Sequence, residues 1–334
     1  MKTMNWLLRR EFWEHKGAMF WAPIVVAAAM ILFVTATVLY GTTAGKFDQS
    51  IHTRVTEDGK STVVTTHTDT SALFNTMPAE KKQEIADMVA NSYMAAGAPL
   101  LLILAAVVFF YCLAALSDER RDRSILFWKS LPVSDTETVL SKVLTAAIVA
   151  PLITIAVATF VSLLLLLIVG TAFAFKGVNL FGLVMSNPAL YLAPLQFLGM
   201  LPVYALWALP TIGWLLMVSA WAKSKVFLWA VGVPVITLII IKWVNYILGI
   251  GIDLQWFLHN VLARCLLGLI PGAYLGLAKV DKDLLVNEQH SAVFGAIFQQ
   301  SWLTLTGPAV WIGAIAGAAM IYAAIRLRRW KDEC

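Results

Sequence analysis

The sequence predicts an all-α integral membrane protein. It has six transmembrane helices, cytoplasmic N- and C-termini, and a small outer β-hairpin and helix inserted between spans one and two. Three observations lead there. The residues are 60% hydrophobic and 13% charged, against about 45–50% and about 25% in soluble domains. The apolar residues gather into runs without Asp, Glu, Lys or Arg, at 20–40, 93–116, 143–169, 195–221 and 303–325. The basic residues fall on alternate connections. Segments 1–19, 117–142, 222–225 and 326–334 hold 15 of the 25 Lys and Arg, and the longer segments 41–92, 170–194 and 242–302 hold 10. Because Lys and Arg are retained on the cytoplasmic side, the first set is expected to face inward.

Each run is long enough to span, since a helix rising ~1.5 Å per residue crosses ~30 Å of hydrocarbon in ~20 residues. A further span, 226–252, is interrupted only by Lys242, whose stem can snorkel to the far headgroups. The region 253–302 tempts a seventh crossing, but His259, Arg264 and Pro271 break it. A seventh span would also carry the basic tail 326–334 outside, against the charge bias. An outer re-entrant or interfacial pair of short helices fits better. The net charge of +5 is then a topological signal, with no nucleic-acid partner implied and membrane lipid as the constant neighbour. Cys112, Cys265 and Cys334 supply no disulfide framework.

Residues 1–19 mix Trp6, Arg9, Arg10, Phe12, Trp13 and Lys16, which suits either a cytoplasmic interfacial helix or a plain flanking anchor. In the outer segment 41–92, a Thr- and Val-rich stretch centred on Asp58-Gly59 reads as a β-hairpin. Pro78 then opens a charged helix leading into the second span. With Glu57 opposite Lys60, His52 and His67 share a face, but two histidines are too few for a metal site. In the fourth span, Pro202 and Pro210 are kink positions. Trp207, Trp214 and Trp221 recur every seven residues with Met217 among them. That stripe is either a packing seam or, through Trp207, Trp214 and Met217, a lining for amphiphilic cargo.

Several chemistries lack their residues. The apolar runs contain no carboxylate for ion-coupled transport. The phosphate-binding pattern GxxxxGK[ST] is missing, because the nearest string, 41–47, is one residue short and ends in Phe47. Neither HExxH nor GxSxG occurs. The expectation is a chain without catalytic, cofactor or metal residues.

The cytoplasmic loop 117–142 carries the sharpest signal. After Glu119, Arg120, Arg121 and Arg123 comes a short apolar-aromatic turn, Ile125–Trp128, which is stopped at Leu131-Pro132. Ser134 with Glu137 then forms a capping box for the next helix. Phe127 and Trp128 beside bases suit a protein docking surface or an interface anchor.

This pattern resembles the permease subunits of ATP-binding-cassette exporters of the type-2 class. The matching features here are Glu119-Arg120, Arg123-Ser124, Ile125–Trp128, Leu131-Pro132-Val133-Ser134 and Lys142. Ser124 stands where that family commonly has Gly, and Asp135 where a base is frequent. The resemblance implies a coupling helix formed by Glu119, Arg120, Arg121, Arg123, Ile125, Phe127, Trp128, Leu131 and Pro132, seated on a separate ATPase subunit. It further implies a second permease copy or homologue, ATP and Mg bound only by the partner subunit, and a multi-pass place in the plasma membrane (bacterial inner membrane). The expected function is a translocation path for a lipophilic or amphiphilic cargo such as a lipid, peptide or drug. The rival readings are a scaffold or sensor acting through 41–92, and a metal-delivery exporter.

Overall fold

The computed structural model describes residues 2–44, 49–57, 60–68, 74–122, 133–249, 251, 253–285 and 293–331. Among them, six helical stretches are long and apolar enough to cross a membrane: Gly17–Thr43, Ala79–Arg121, Asp135–Phe175, Pro188–Trp221, Val226–Leu248 and Pro308–Trp330. The chain is an all-α, multi-pass membrane protein. Of the expected coupling helix, Arg123, Ile125, Phe127, Trp128, Leu131 and Pro132 lie outside the described residues.

In chain order, α1 (Lys2–Glu14) precedes α2 (Ala22–Thr43), and the backbone strands β1 (Gln49–Glu57) and β2 (Lys60–Thr68) follow. The strands pair antiparallel with Glu57 opposite Lys60. Next come α3 (Ala79–Ser92), α4 (Ala98–Arg121), α5 (Asp135–Leu144) and α6 (Ala150–Phe175). Short helices α7 (Phe181–Ser186) and α8 (Pro188–Gly199) lead into α9 (Leu201–Trp221), and then α10 (Val226–Leu248). The region after α10 holds α11 (Leu254–Phe257), α12 (Ala263–Leu266), α13 (Ala273–Leu277) and α14 (Phe294–Leu303), and α15 (Pro308–Lys331) closes the chain. Ion pairs described below bring α1 and the end of α15 together, so both chain ends share one end of the bundle, here termed proximal.

Three helices open on Ala-Pro, and in each the turn before it departs from α geometry. Residues Gly17–Trp21 and Thr145–Val149 form π turns ahead of Pro23 and Pro151, and Tyr93–Gly97 forms a 3-10 turn ahead of Pro99. A proline within a continuous helix loses its own donor and pushes its ring into the carbonyl four residues back. Adding or removing one residue in the preceding turn relieves that clash while the helix continues. Proline also explains the break at Met200 between α8 and α9, because Pro202 follows two residues later and has no N–H to carry the ladder across.

Some boundaries differ from those expected. The fourth span starts at Pro188, capped by the Asn187 side chain on the Ala189 amide, instead of at 195. The fifth stops at Leu248, short of 252, because Gly249 adopts a positive φ of 59° and its amide closes on the Asn245 carbonyl. The second runs helically through Ser117–Arg121, a stretch expected to be loop.

Helix α9 is the central post. Its span is 61% buried, whereas those of α2 and α10 are 11% buried and stand at the periphery. The post packs against α15 backbone to backbone. A Cβ at Gly213 would lie 2.5 Å from the Gly317 carbonyl oxygen, and one at Gly317 would lie 2.6 Å from the Leu209 carbonyl carbon. Helices in lipid gain little from hydrophobic exclusion, so such close approach, with its dense dispersion contacts, holds the pair. Gly213→Ala should therefore force the two backbones apart at a cost of about 1–3 kcal/mol. Thermal unfolding in detergent checks this, with Gly232→Ala, where nothing lies within 4 Å of the added carbon, as the control that carries only the small helix-propensity gain.

Candidate functional site: a buried charge cluster

The apolar stripe of α4 ends in an acid. Val108, Cys112 and Leu116 are buried on one face, and Glu119 continues that face one turn further. Glu119 is only 8% exposed, which burial alone would make very costly for a carboxylate. It is met by three cations: Lys142 of α5 at 3.0 Å, Arg328 of α15 at 2.8 Å and Arg10 of α1 at 3.6 Å. Lys142, itself 1% exposed, also reaches Glu11 of α1 at 2.9 Å. Glu11 is fully buried, and the Tyr111 hydroxyl donates to its other oxygen at 2.9 Å. Arg328 completes the cluster with Asp135, at 3.1 Å. Four helices are joined by groups that all require one another.

The Ser134–Glu137 capping box, both of whose hydrogen bonds form, places Asp135. The Ser134 hydroxyl accepts from the Glu137 amide while the Glu137 carboxylate receives the Ser134 amide. Glu119 and Asp135 thus stand on either flank of the segment 123–132, and Arg328 ties both to one helix.

Glu119 and Arg120, which the resemblance assigns to the coupling helix, both engage partners within the bundle. Glu119 faces inward because it shares the helical face of Leu116, a continuation that was visible in the sequence had the helix been extended past 116. Arg120 turns onto α9, donating to the Ser219 carbonyl and, at 2.9 Å, to the Ala222 carbonyl, and so caps that helix. Among the described residues of that set, only Arg121 is open to solvent, beside Asp118 and Asp122 at 3.9 and 3.6 Å, where pairing contributes ~0–1 kcal/mol.

The tryptophan stripe is distributed among three neighbours. Trp207 is buried, stacks on Tyr274 and donates to the Thr304 hydroxyl at 3.1 Å. Trp214 donates to the Ala230 carbonyl at 2.9 Å, and Trp221 meets Trp229 edge-on at 5.0 Å. Met217 packs against the core around Ile212 and Leu216. These side chains form a seam joining α9 to its surroundings, with Trp207 enclosed within the chain.

Arg264 entered the sequence reading only as a residue that breaks a seventh crossing. It is 7% exposed, lies 5.0 Å over the Trp207 ring and donates to the Ala309 carbonyl at 2.6 Å. Its own carbonyl accepts from Thr211 at 2.5 Å. A guanidinium stays charged at neutral pH, so the ring face and carbonyl are what stabilise it. It pins the α11–α13 region to α9 and α15.

Glu11, Glu14 and His15 place ligand atoms within 4.8 Å of one another. Both carboxylates are already engaged, Glu11 by Lys142 and Tyr111 and Glu14 by Arg10 at 2.9 Å. No family model, curated protein or solved structure matches the chain.

Lys142→Met should leave Glu11 without its cation and Glu119 with Arg328 and Arg10 alone. Breaking a buried pair from one side costs about 3–5 kcal/mol. The expected result is a much lower unfolding temperature in detergent, partly restored in the double variant Glu11→Gln/Lys142→Met. Equal losses in single and double variants would contradict this account.

His15 provides a pH test. It lies edge-on to Tyr111 at 4.8 Å. Burial holds its pKa below the ordinary 6.5, with Lys142 acting the same way and Glu11, Glu14 and Asp118 opposing. The unfolded chain takes the proton first, so the contribution to stability is complete above pH 6.5 and shrinks as pH falls below it. The unfolding temperature should drop on acidification from pH 7.5 to 5.5, and by less in His15→Gln.

Proposed function

We propose that this chain is the membrane-spanning subunit of an ATP-driven exporter. It works with a separate ATP-binding-cassette ATPase subunit and a second copy or homologue of itself. Both termini and the charge cluster lie on the cytoplasmic side of the plasma membrane, and β1–β2 and α3 lie outside. The observation that carries this reading is the anchoring of the residues that flank 123–132. The buried cluster holds Glu119 before that segment and Asp135 after it, and it also joins α1 and α15. A push on such a segment reaches four helices as one rigid unit, because moving any one of them would strand a buried charge. The resemblance of residues 119–142 to type-2 exporter permeases supports the same reading. Hydrolysis belongs to the partner, and the cargo is lipophilic or amphiphilic.

The test compares Trp128→Ala and Pro132→Ala with the unaltered chain, co-expressed with its ATPase. Truncating an aromatic anchor at an interface typically costs ~2 kcal/mol or more, roughly 30-fold in affinity, so Trp128→Ala should lose co-purifying ATPase. Pro132→Ala should retain the ATPase and lose cargo-stimulated hydrolysis. Normal association and stimulation in both variants would remove the coupling role.

A further inference from the structure

Helix α6 is longer than a membrane requires. Counting ~1.5 Å per residue from Lys142, Ser162 stands ~30 Å up the helix, which is about the thickness of the hydrocarbon core. At that level Gly97 meets α6, where an added Cβ would lie 3.1 Å from Ala158 Cβ and 3.3 Å from the Ser162 hydroxyl. Beyond it α6 continues to Phe175 without a charged residue. The helix facing this extension, α3, bears exposed Glu80, Lys81 and Glu84 on its outer side.

Between them lies a cavity of about 630 Å³, well within the ~300–1,000 Å³ of small-molecule sites. Ile85 and Val89 of α3, Leu167 and Phe173 of α6, and Phe181 and Val184 of α7 form its walls, and no lining residue is charged. The walls are pinned. Asn187 donates to the Asp87 carboxylate at 2.6 Å, and the Tyr93 hydroxyl donates to the Leu190 carbonyl at 2.8 Å. An apolar cavity buried among lipid tails would need no explanation. One walled by a charged helix beyond the hydrocarbon layer exposes apolar surface that water covers poorly.

We infer that this cavity binds the aliphatic chain of a single amphiphile drawn from the adjacent leaflet. The continuous apolar face of α6 gives the chain a path from the bilayer into the cavity, and the cavity wall 163–173 adds ~15 Å of depth, about half the hydrocarbon thickness. A headgroup would remain at the rim, where Lys82 lies 5.1 Å from the ring of Phe74, another lining residue. This rests on the six-span reading but does not depend on ATP-driven transport, so the isolated chain is sufficient for the test.

The purified chain is placed in phosphatidylcholine nanodiscs with a diazirine-bearing palmitic acid, irradiated, and mapped by peptide mass spectrometry. Label is expected on peptides within 79–89 and 163–185, displaced by unlabelled palmitate. It should be lost in Leu167→Trp and in Val184→Trp, which fill the cavity, and kept in Leu195→Trp on an exposed face. Label on the exposed helix α10 should be unaffected by any of these. Absence of displaceable label on 79–89 and 163–185 in the unaltered chain would overturn the proposal without reference to any variant's folding. Label that persists in both filled variants would do the same. So would a change in self-association, instead of labelling, on filling, since that would make the cavity a socket for a second copy. Failure with cysteine accessibility still matching six spans rejects the cavity alone, whereas inward accessibility of 79–89 rejects the topology beneath it.

Discussion

The structure depends on the rule that a buried ion must have its partner. Lys142 and Glu11 are almost or wholly removed from solvent, and each is tolerable only because the other is there. Glu119 and Arg328 add a second such pair. The consequence is geometric. Helix α1 has its own short apolar contact through buried Leu7, but its angle to α4 and α5 is set by Glu11 sitting between Tyr111 and Lys142. The two ends of the chain, far apart in sequence, meet because Arg10 and Arg328 share one carboxylate.

A different principle governs the centre of the bundle. There α9 and α15 approach through glycine, and the stabilisation is dispersion between backbones. The polar groups at this level are few. Arg264 is held by the Trp207 face and the Ala309 carbonyl, and Tyr274 by the Ser301 hydroxyl at 2.9 Å. These contacts fasten the broken region α11–α13, whose irregular backbone is tolerable at depth only where protein encloses it. The bundle therefore has a packed centre, a charged clasp at the proximal end and an apolar cavity at the other. The proposed coupling uses the clasp as a lever and the centre as its fulcrum.

The six spans were legible in the sequence because a hydrophobic run of sufficient length needs no partner to define it. The capping box at Ser134 is likewise local, set by residues within a few positions of each other. The turns before Pro23, Pro99 and Pro151 carried a signal too, in the repeated Ala-Pro, but its meaning depends on the helix continuing through the proline.

Charge in isolation says only that a residue prefers water. For that reason nothing local shows that Glu119 is enclosed, or that Arg120 caps a helix 99 and 102 residues further on, at Ser219 and Ala222. Lys142 and Glu11 are 131 residues apart, and no local pattern can announce that one neutralises the other. The sequence by itself determined which segments enter the membrane, since hydrocarbon accepts or rejects each helix on its own composition. The tertiary structure alone decided which charges are buried, because a buried ion's stability belongs to the pair and not to the residue.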